Sequence, residues 1–359
     1  MSAHEILIAV MAVFALVGAV DRVIGNRLGL GKEFEEGILA MGSLAMAMLG
    51  IIALAPVLAA VLRPVVVPVY SFLGADPAMF AGTILACDMG GASLAVEMTE
   101  NREAALLGGI LGGSMLGATI VFTIPVAMGI LREEDRPAMA KGILAGIVTI
   151  PVGILVGGIV AGFPIVMVLR NLIPIVGIAV LIALGLWKAE KAMIAGFGWF
   201  GKGVTAVITL GLAAAIVEEL TGFVIVPGLA SLEEGFSTVG EIAIVLAGAF
   251  PLVAVLTRLL RKPLLKLGAV LGVNDAAAAG LVASLANSIA TFGLVKDMDE
   301  RGKVVNIAFA VSAAFVFGDH LGFTAGFAPE MLPAMILGKL AGGVSAVAAA
   351  LWLTRKETP

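Results

Sequence analysis

Ala86-Cys87-Asp88-Met89-Gly90-Gly91 interrupts an apolar segment, about 77–98, that would otherwise enter a bilayer as an unbroken helix. A carboxylate among hydrocarbon is expensive and is retained only for a purpose. Two adjacent glycines free the backbone to turn and to expose its polar groups. A second apolar segment, about 275–296, breaks in the same way at Asn287-Ser288. Irregular backbone at membrane depth is tolerated only where protein buries it or where it lines a cavity. The two segments are therefore read as re-entrant helical hairpins rather than crossings.

The rest of the chain fits that reading. It has 359 residues, 60% of them hydrophobic and only 13% charged, with a mean hydropathy of +1.12. Soluble domains carry about twice that charge. The 46 glycines suit close helix packing in lipid. A single cysteine, Cys87, excludes a disulfide framework. No basic stripe marks a nucleic-acid partner, and no cluster supplies the three or four ligands of a zinc site, so neither a metal nor a cofactor is expected. The apolar N-terminus lacks a basic lead and reads as a first span, not a signal peptide.

Segments of about 20 apolar residues fall at about 5–24, 38–62, 104–130, 138–163, 165–187, 203–228, 239–257, 304–325 and 332–354. With these nine as crossings, both hairpins re-entrant and the N-terminus outside, almost every basic loop residue falls in the cytoplasm. Only Arg63, Arg102 and Arg170 fall outside, with Lys339 inside the last span. If both hairpins cross instead, the charges divide evenly. The positive-inside rule selects the first arrangement.

The chain also matches itself at an offset of about 200 residues. Phe34-Glu35-Glu36-Gly37 parallels Leu232-Glu233-Glu234-Gly235, Leu73-Gly74-Ala75-Asp76 parallels Leu271-Gly272-Val273-Asn274, and Pro137-Ala138-Met139 parallels Pro333-Ala334-Met335. With one gap, Asp88 falls opposite Asn287. The expected fold is all-α and integral to the membrane: a first repeat over 1–163, a linking helix within 164–198 and an inverted second repeat over 199–359. Inverted repeats with broken helices at corresponding places point to a transporter site near the midplane.

Asp88 leads the candidates for that site, binding an ammonium or carrying a proton; the alternative is an N-cap of the second half-helix. Asn287 and Ser288, with Ser284 and Thr291, suit hydroxyl or amine hydrogen bonding, or equally capping and interhelical bonding. Asp319-His320 offers a proton relay or gate, or a structural pair. Glu35, Glu36, Glu233 and Glu234 read as favourable charge at helix starts, and Glu97 and Asp297 as hairpin feet. Lys339 either snorkels or pairs with an acid. Phe80 and Phe292 are the rings placed for cation–π contact. An intramembrane enzyme would need a converging catalytic set, and only Asp88, Asp319 and His320 are available. A membrane anchor for soluble enzymes would need longer cytoplasmic loops.

The chain resembles the ethanolamine utilisation permease family (EutH) over about 5–355. The most specific stretches are Phe34-Glu35-Glu36-Gly37, Met79-Phe80-Ala81-Gly82-Thr83 running into Ala86-Cys87-Asp88-Met89-Gly90-Gly91, and Phe317-Gly318-Asp319-His320-Leu321-Gly322-Phe323. The loops around 163–171 and 226–238 are more compact than that family's. The resemblance implies a multi-pass protein of the bacterial inner membrane that brings ethanolamine into the cell for breakdown by a cobalamin-dependent lyase pathway. Its partners would be ethanolamine and lipid, with a homo-oligomer left open, as are other amines, nucleosides or amino acids as substrate.

Overall fold

The computed structural model describes residues 2–355, without the side chains at 260, 261, 264, 265, 267 and 269. Of the basic residues that set the orientation, Lys356 and the side chain of Arg261 thus lie outside the described residues. Every regular element among the described residues is helical. The long helices are α1 (Ala3–Val23), α2 (Leu30–Phe72), α5 (Arg102–Ile130), α6 (Glu133–Val160) and α7 (Ile165–Thr221). They continue with α8 (Leu232–Leu271) and α13 (Leu332–Leu353). Among the described residues, seven helical runs are long and apolar enough to cross a bilayer. Bulky apolar side chains cover their outer faces, Leu16, Val61, Leu181 and Leu210 among them. In water such a surface would aggregate; in lipid it is the solvated face. The chain is a multi-pass membrane protein.

Two expected spans, 165–187 and 203–228, form one helical run. At 57 residues α7 would be about 85 Å long if straight, far more than a bilayer core. It is not straight: Ala189 leaves helical geometry (φ −144°, ψ 47°). A Cβ built on Gly185 would lie 2.7 Å from the sulfur of Met193, so the chain folds sharply there. The expected span 304–325 is likewise broken, into α11 (Glu300–Ala313) and α12 (Asp319–Phe327).

Between the long elements sit two short hairpins. The first is α3 (Ala78–Ile84) and α4 (Gly91–Met98), joined by a 3-10 turn over Cys87–Met89. The second is α9 (Asp275–Ala286) and α10 (Ser288–Leu294), broken at Asn287. Their feet are tied by corresponding bonds. Thr99 donates to Asp76 (2.9 Å) under the first, while the Asn274 N–H donates to Asp299 (2.8 Å) under the second. These bonds, rather than Glu97 and Asp297 side chains, make the feet, although the Asp297 carbonyl also accepts from Asn274. The two feet lie at opposite ends of α5. Its start, Arg102, follows Thr99 and pairs with Glu330 (2.6 Å). Beyond its end, Asp135 pairs with Lys303 (2.7 Å), one turn from Asp299.

The helices pack as two groups. In one, α1, α2, α8 and the second half of α7 lie together; in the other, α5, α6, α11 and α13 do, and the first hairpin lies between α5 and α2. The start of α2 is held by Asp21, which accepts from the N–H groups of Leu28, Leu30 and Gly31 at 2.8–2.9 Å. Three otherwise orphaned donors are thereby satisfied. Glu35 instead forms an exposed pair with Arg22 (3.2 Å), in keeping with a helix-start charge. Along Leu107–Gly117 and Thr119–Thr123, α5 widens to a π-helix, a form that recurs at functional sites. Its glycines seat the hairpin: a Cβ at Gly117 would lie 1.9 Å from the Leu85 carbonyl oxygen, so only a glycine permits that approach.

Candidate functional site

The site begins with the turn that carries Asp88. Ala86 is extended, and its carbonyl accepts from both Met89 N–H (3.1 Å) and Gly91 N–H (2.8 Å), closing a tight turn. Gly90 follows at φ +89°, and a Cβ there would run into Ile51 at 2.2 Å. Gly90 is also the N-cap of α4, which has no side-chain capping bond. Asp88 is therefore not spent on capping. Its carboxylate lies 3.8 Å from His320 Nε2 and 4.0 Å from the Cys87 thiol, with 17% of the side chain exposed.

That exposed edge borders a cavity of about 230 Å³. Ser43, Leu44 and Ala47 of α2 form one wall, Ala86, Asp88 and Met89 the hairpin tip, and Ala118 and Phe122 of α5 a third side. Phe315, Asp319 and His320, from the break between α11 and α12, close it. The walls thus come from both packing groups. The rings of Phe122 and Phe315 meet edge to face, 5.4 Å apart at 81°, and Phe315 lies 5.3 Å from the His320 ring. One or two carboxylates beside aromatic faces form an environment for a small organic cation. At about 30 Å³ per water, the volume admits a solute of a few heavy atoms together with some water.

The second hairpin reaches this cavity indirectly. Asn287 caps α10, accepting from the Ile289 N–H at 2.8 Å. Ser284 and Thr291 bond to each other (2.8 Å), and Thr291 donates to the Gly280 carbonyl (2.9 Å), stapling the two arms. Ser288 is buried and its hydroxyl finds no partner. None of these four lines the cavity at Asp88. The carbonyls of Ser284 and Leu285 accept instead from the N–H groups of Phe315 (3.1 Å) and Phe317 (2.8 Å). The hairpin thereby holds the broken segment that supplies Phe315, Asp319 and His320. Phe315 sits at φ +63°, a left-handed conformation that is costly for a non-glycine residue.

Sequence reasoning placed Asp88, Asp319 and His320 but did not unite them, and it missed Ser43, Phe122 and Phe315. Of the two rings singled out, Phe80 packs edge-on against Tyr70 (6.2 Å) and Phe292 is buried in the core; neither borders the cavity. Lys339 neither snorkels nor pairs with an acid at contact distance. It is fully buried and donates to the Ser114 carbonyl at 2.5 Å. A larger cavity, about 780 Å³, shares Met89 and Phe122 with the first and runs past Pro125, Met128, Trp199 and Lys202.

The family model described as "Ethanolamine utilisation protein, EutH" matches residues 3–353. The chain belongs to the EutH family. It is 58% identical over 356 residues to the "Probable ethanolamine permease EutH" of Listeria monocytogenes, covering 99% of this chain and 95% of that one. Proteins with the same description from Escherichia coli and Salmonella typhimurium are 49% and 48% identical, each covering 99% of this chain and 97% of their own. No solved structure matches.

Proposed function

We propose that this protein carries ethanolamine, as ethanolammonium, into the bacterial cell by alternating access at the cavity beside Asp88. The observation that carries the reading is a carboxylate at a hairpin tip, freed from capping and turned to an aromatic-walled cavity, in a chain whose relatives are described as permeases. Asp88 binds the ammonium, and Phe122 and Phe315 face its cationic end. Ser43 spends its proton on the Ala40 carbonyl (2.9 Å), which leaves its oxygen to accept from the substrate hydroxyl. Asp319 and His320 form the gate. Asn287, Ser284, Ser288 and Thr291 act through the broken segment they position.

The bend at Ala189 and the broken pair α11–α12 bring the crossings to nine. The hairpin feet at opposite ends of α5 support two inverted repeats, over 1–163 and 199–359, joined by a linking helix within 164–198. With Arg63 and Arg102 at the outer face and Lys303 at the inner face, the N-terminus is outside and the C-terminus cytoplasmic. The larger cavity then leads from Met89 and Phe122 toward the cytoplasm, which makes this the inward-facing form. The site lies on the seam between the packing groups, so sliding one group past the other would expose it to each side in turn.

The test is uptake of labelled ethanolamine by proteoliposomes, with other small amines, nucleosides and amino acids as competitors. Ethanolamine should compete best. Uptake blocked equally by unrelated amines would replace the substrate, and turnover without vectorial uptake would replace transport itself.

A further inference from the structure

Lys339 has no role in the site as described, yet its ammonium is among the largest fully buried side chains of the chain. Such a group is expensive inside a membrane protein unless an opposite charge answers it. Its one hydrogen-bond partner is the Ser114 carbonyl, on the π-helical part of α5. Among the described residues no carboxylate comes within ion-pair distance, 4.0 Å, of its nitrogen. Position supplies the explanation. Gly113, next to Ser114, packs on the turn that carries Asp88: a Cβ there would lie 2.9 Å from Cys87 N. Ala118, one turn on, lines the cavity. Lys339 therefore stands near the hairpin tip, within electrostatic reach of Asp88, without lining the cavity.

The charges around the cavity can then be summed. In the form that loads a cation, Asp88 and Asp319 are counted as carboxylates and Lys339 as an ammonium. Cys87 is a thiol, and His320, whose Nδ1 has no partner, is counted neutral. One net negative charge remains, which matches one monovalent organic cation.

We infer that Lys339 is a built-in counter-charge that balances one of the two site carboxylates, so that the site takes a single organic cation and no inorganic co-ion. The inference rests on the reading of the cavity as a cation site. Lys339 touches no substrate; it sets the charge of the site from nearby. In a transporter lacking it, the second carboxylate would need a sodium ion or a proton for each cycle.

The test uses the full chain in proteoliposomes, with sodium replaced by N-methylglucamine. Unmodified protein should take up ethanolamine equally well with and without sodium. Lys339→Gln should lower uptake by about tenfold or more, since an unbalanced charge in a low-dielectric site is worth at least that much. Adding Asp319→Asn to that variant should bring its melting temperature back toward that of the unmodified protein, a rescue that a merely structural lysine would not give. The inference is overturned if the unmodified protein requires sodium, if Lys339→Gln matches it, or if the double variant melts no higher than the single. Should Lys339→Gln fail to insert, the double variant must still insert; its failure also overturns the inference. If unmodified protein takes up no ethanolamine, the proposed function fails by itself. The counter-charge is then read from thermal stability, where the double variant must melt above the single one.

Discussion

Asp88→Asn keeps the size of the side chain and removes its charge. Because α4 has no side-chain capping bond, the Asp88 side chain does not hold the helix start, and the variant should insert and melt like the parent. Binding should change strongly. A carboxylate and an ammonium about 4 Å apart interact by about 4 kcal/mol at the effective dielectric of a partly exposed site, and 17% exposure places Asp88 in that regime. At 1.4 kcal/mol per tenfold, the full term corresponds to about a thousandfold. Asp319 faces the same cavity and recovers part of it, so the expected loss lies between about tenfold and a thousandfold. The assay is calorimetric binding of ethanolamine to detergent-purified protein, with initial uptake rates in vesicles alongside. Monodisperse Asp88→Asn protein that binds within about threefold of the parent would refute the argument, because no counter-charge of this strength could then be acting.

Three further outcomes follow from other parts of the fold. Gly117→Ala puts a methyl group 1.9 Å from the Leu85 carbonyl, so the first hairpin must lift from α5; transport should be lost while the protein still inserts, and labelling of the buried Cys87 by a small thiol reagent should increase. Phe315→Gly relieves a left-handed backbone worth about 1–3 kcal/mol but removes a buried ring worth about 3–5 kcal/mol, so the melting temperature should fall, by less than for Phe315→Ala, while KM worsens through loss of the ring at the cavity wall. Beyond the end of α5, Lys303→Met strands the buried Asp135 carboxylate, and breaking such a pair costs about 3–5 kcal/mol. Burial works against the Lys303 ammonium, but the Asp135 and Glu300 carboxylates outweigh it and raise its pKa above the ordinary lysine value. Its contribution is therefore full below that ordinary value and is lost as pH rises through the folded one; melting curves of parent and Lys303→Met should converge only in strong alkali.

The hairpins were legible because each breaks a long apolar run with residues that have a physical reason to break it. Gly90 adopts a left-handed turn, and Asn287 ends one helix and caps the next. The break between α11 and α12 was not legible. Ala314-Phe315-Val316-Phe317 reads as continuous span, and only bonds from the second hairpin, distant in sequence, fix Phe315 in its costly conformation. The bend at Ala189 lies between two segments read as separate spans; that they join in one helical run without a loop was unforeseen. The extension of α2 past Pro56, Pro64 and Pro68 went unforeseen because proline normally ends or kinks a helix. In the site, Asp88, Asp319 and His320 announced themselves as ionisable groups in apolar surroundings. Ser43, Phe122 and Phe315 resemble dozens of other membrane-helix residues; only packing turns them toward the carboxylate. For Asn287 the sequence left substrate bonding and capping equal, and in the fold its side chain makes the cap.

The central claim, that a single ethanolammonium ion crosses through the cavity at Asp88, is tested most directly by potential-driven accumulation in proteoliposomes. A potential of 100 mV, negative inside, is worth about 2.3 kcal/mol per charge, so ethanolamine moving alone as a monovalent cation should accumulate about 50-fold. Asp88→Asn vesicles should accumulate far less over the same interval. Equal final ratios at zero and negative potential, or accumulation unaffected by Asp88→Asn, would contradict the account.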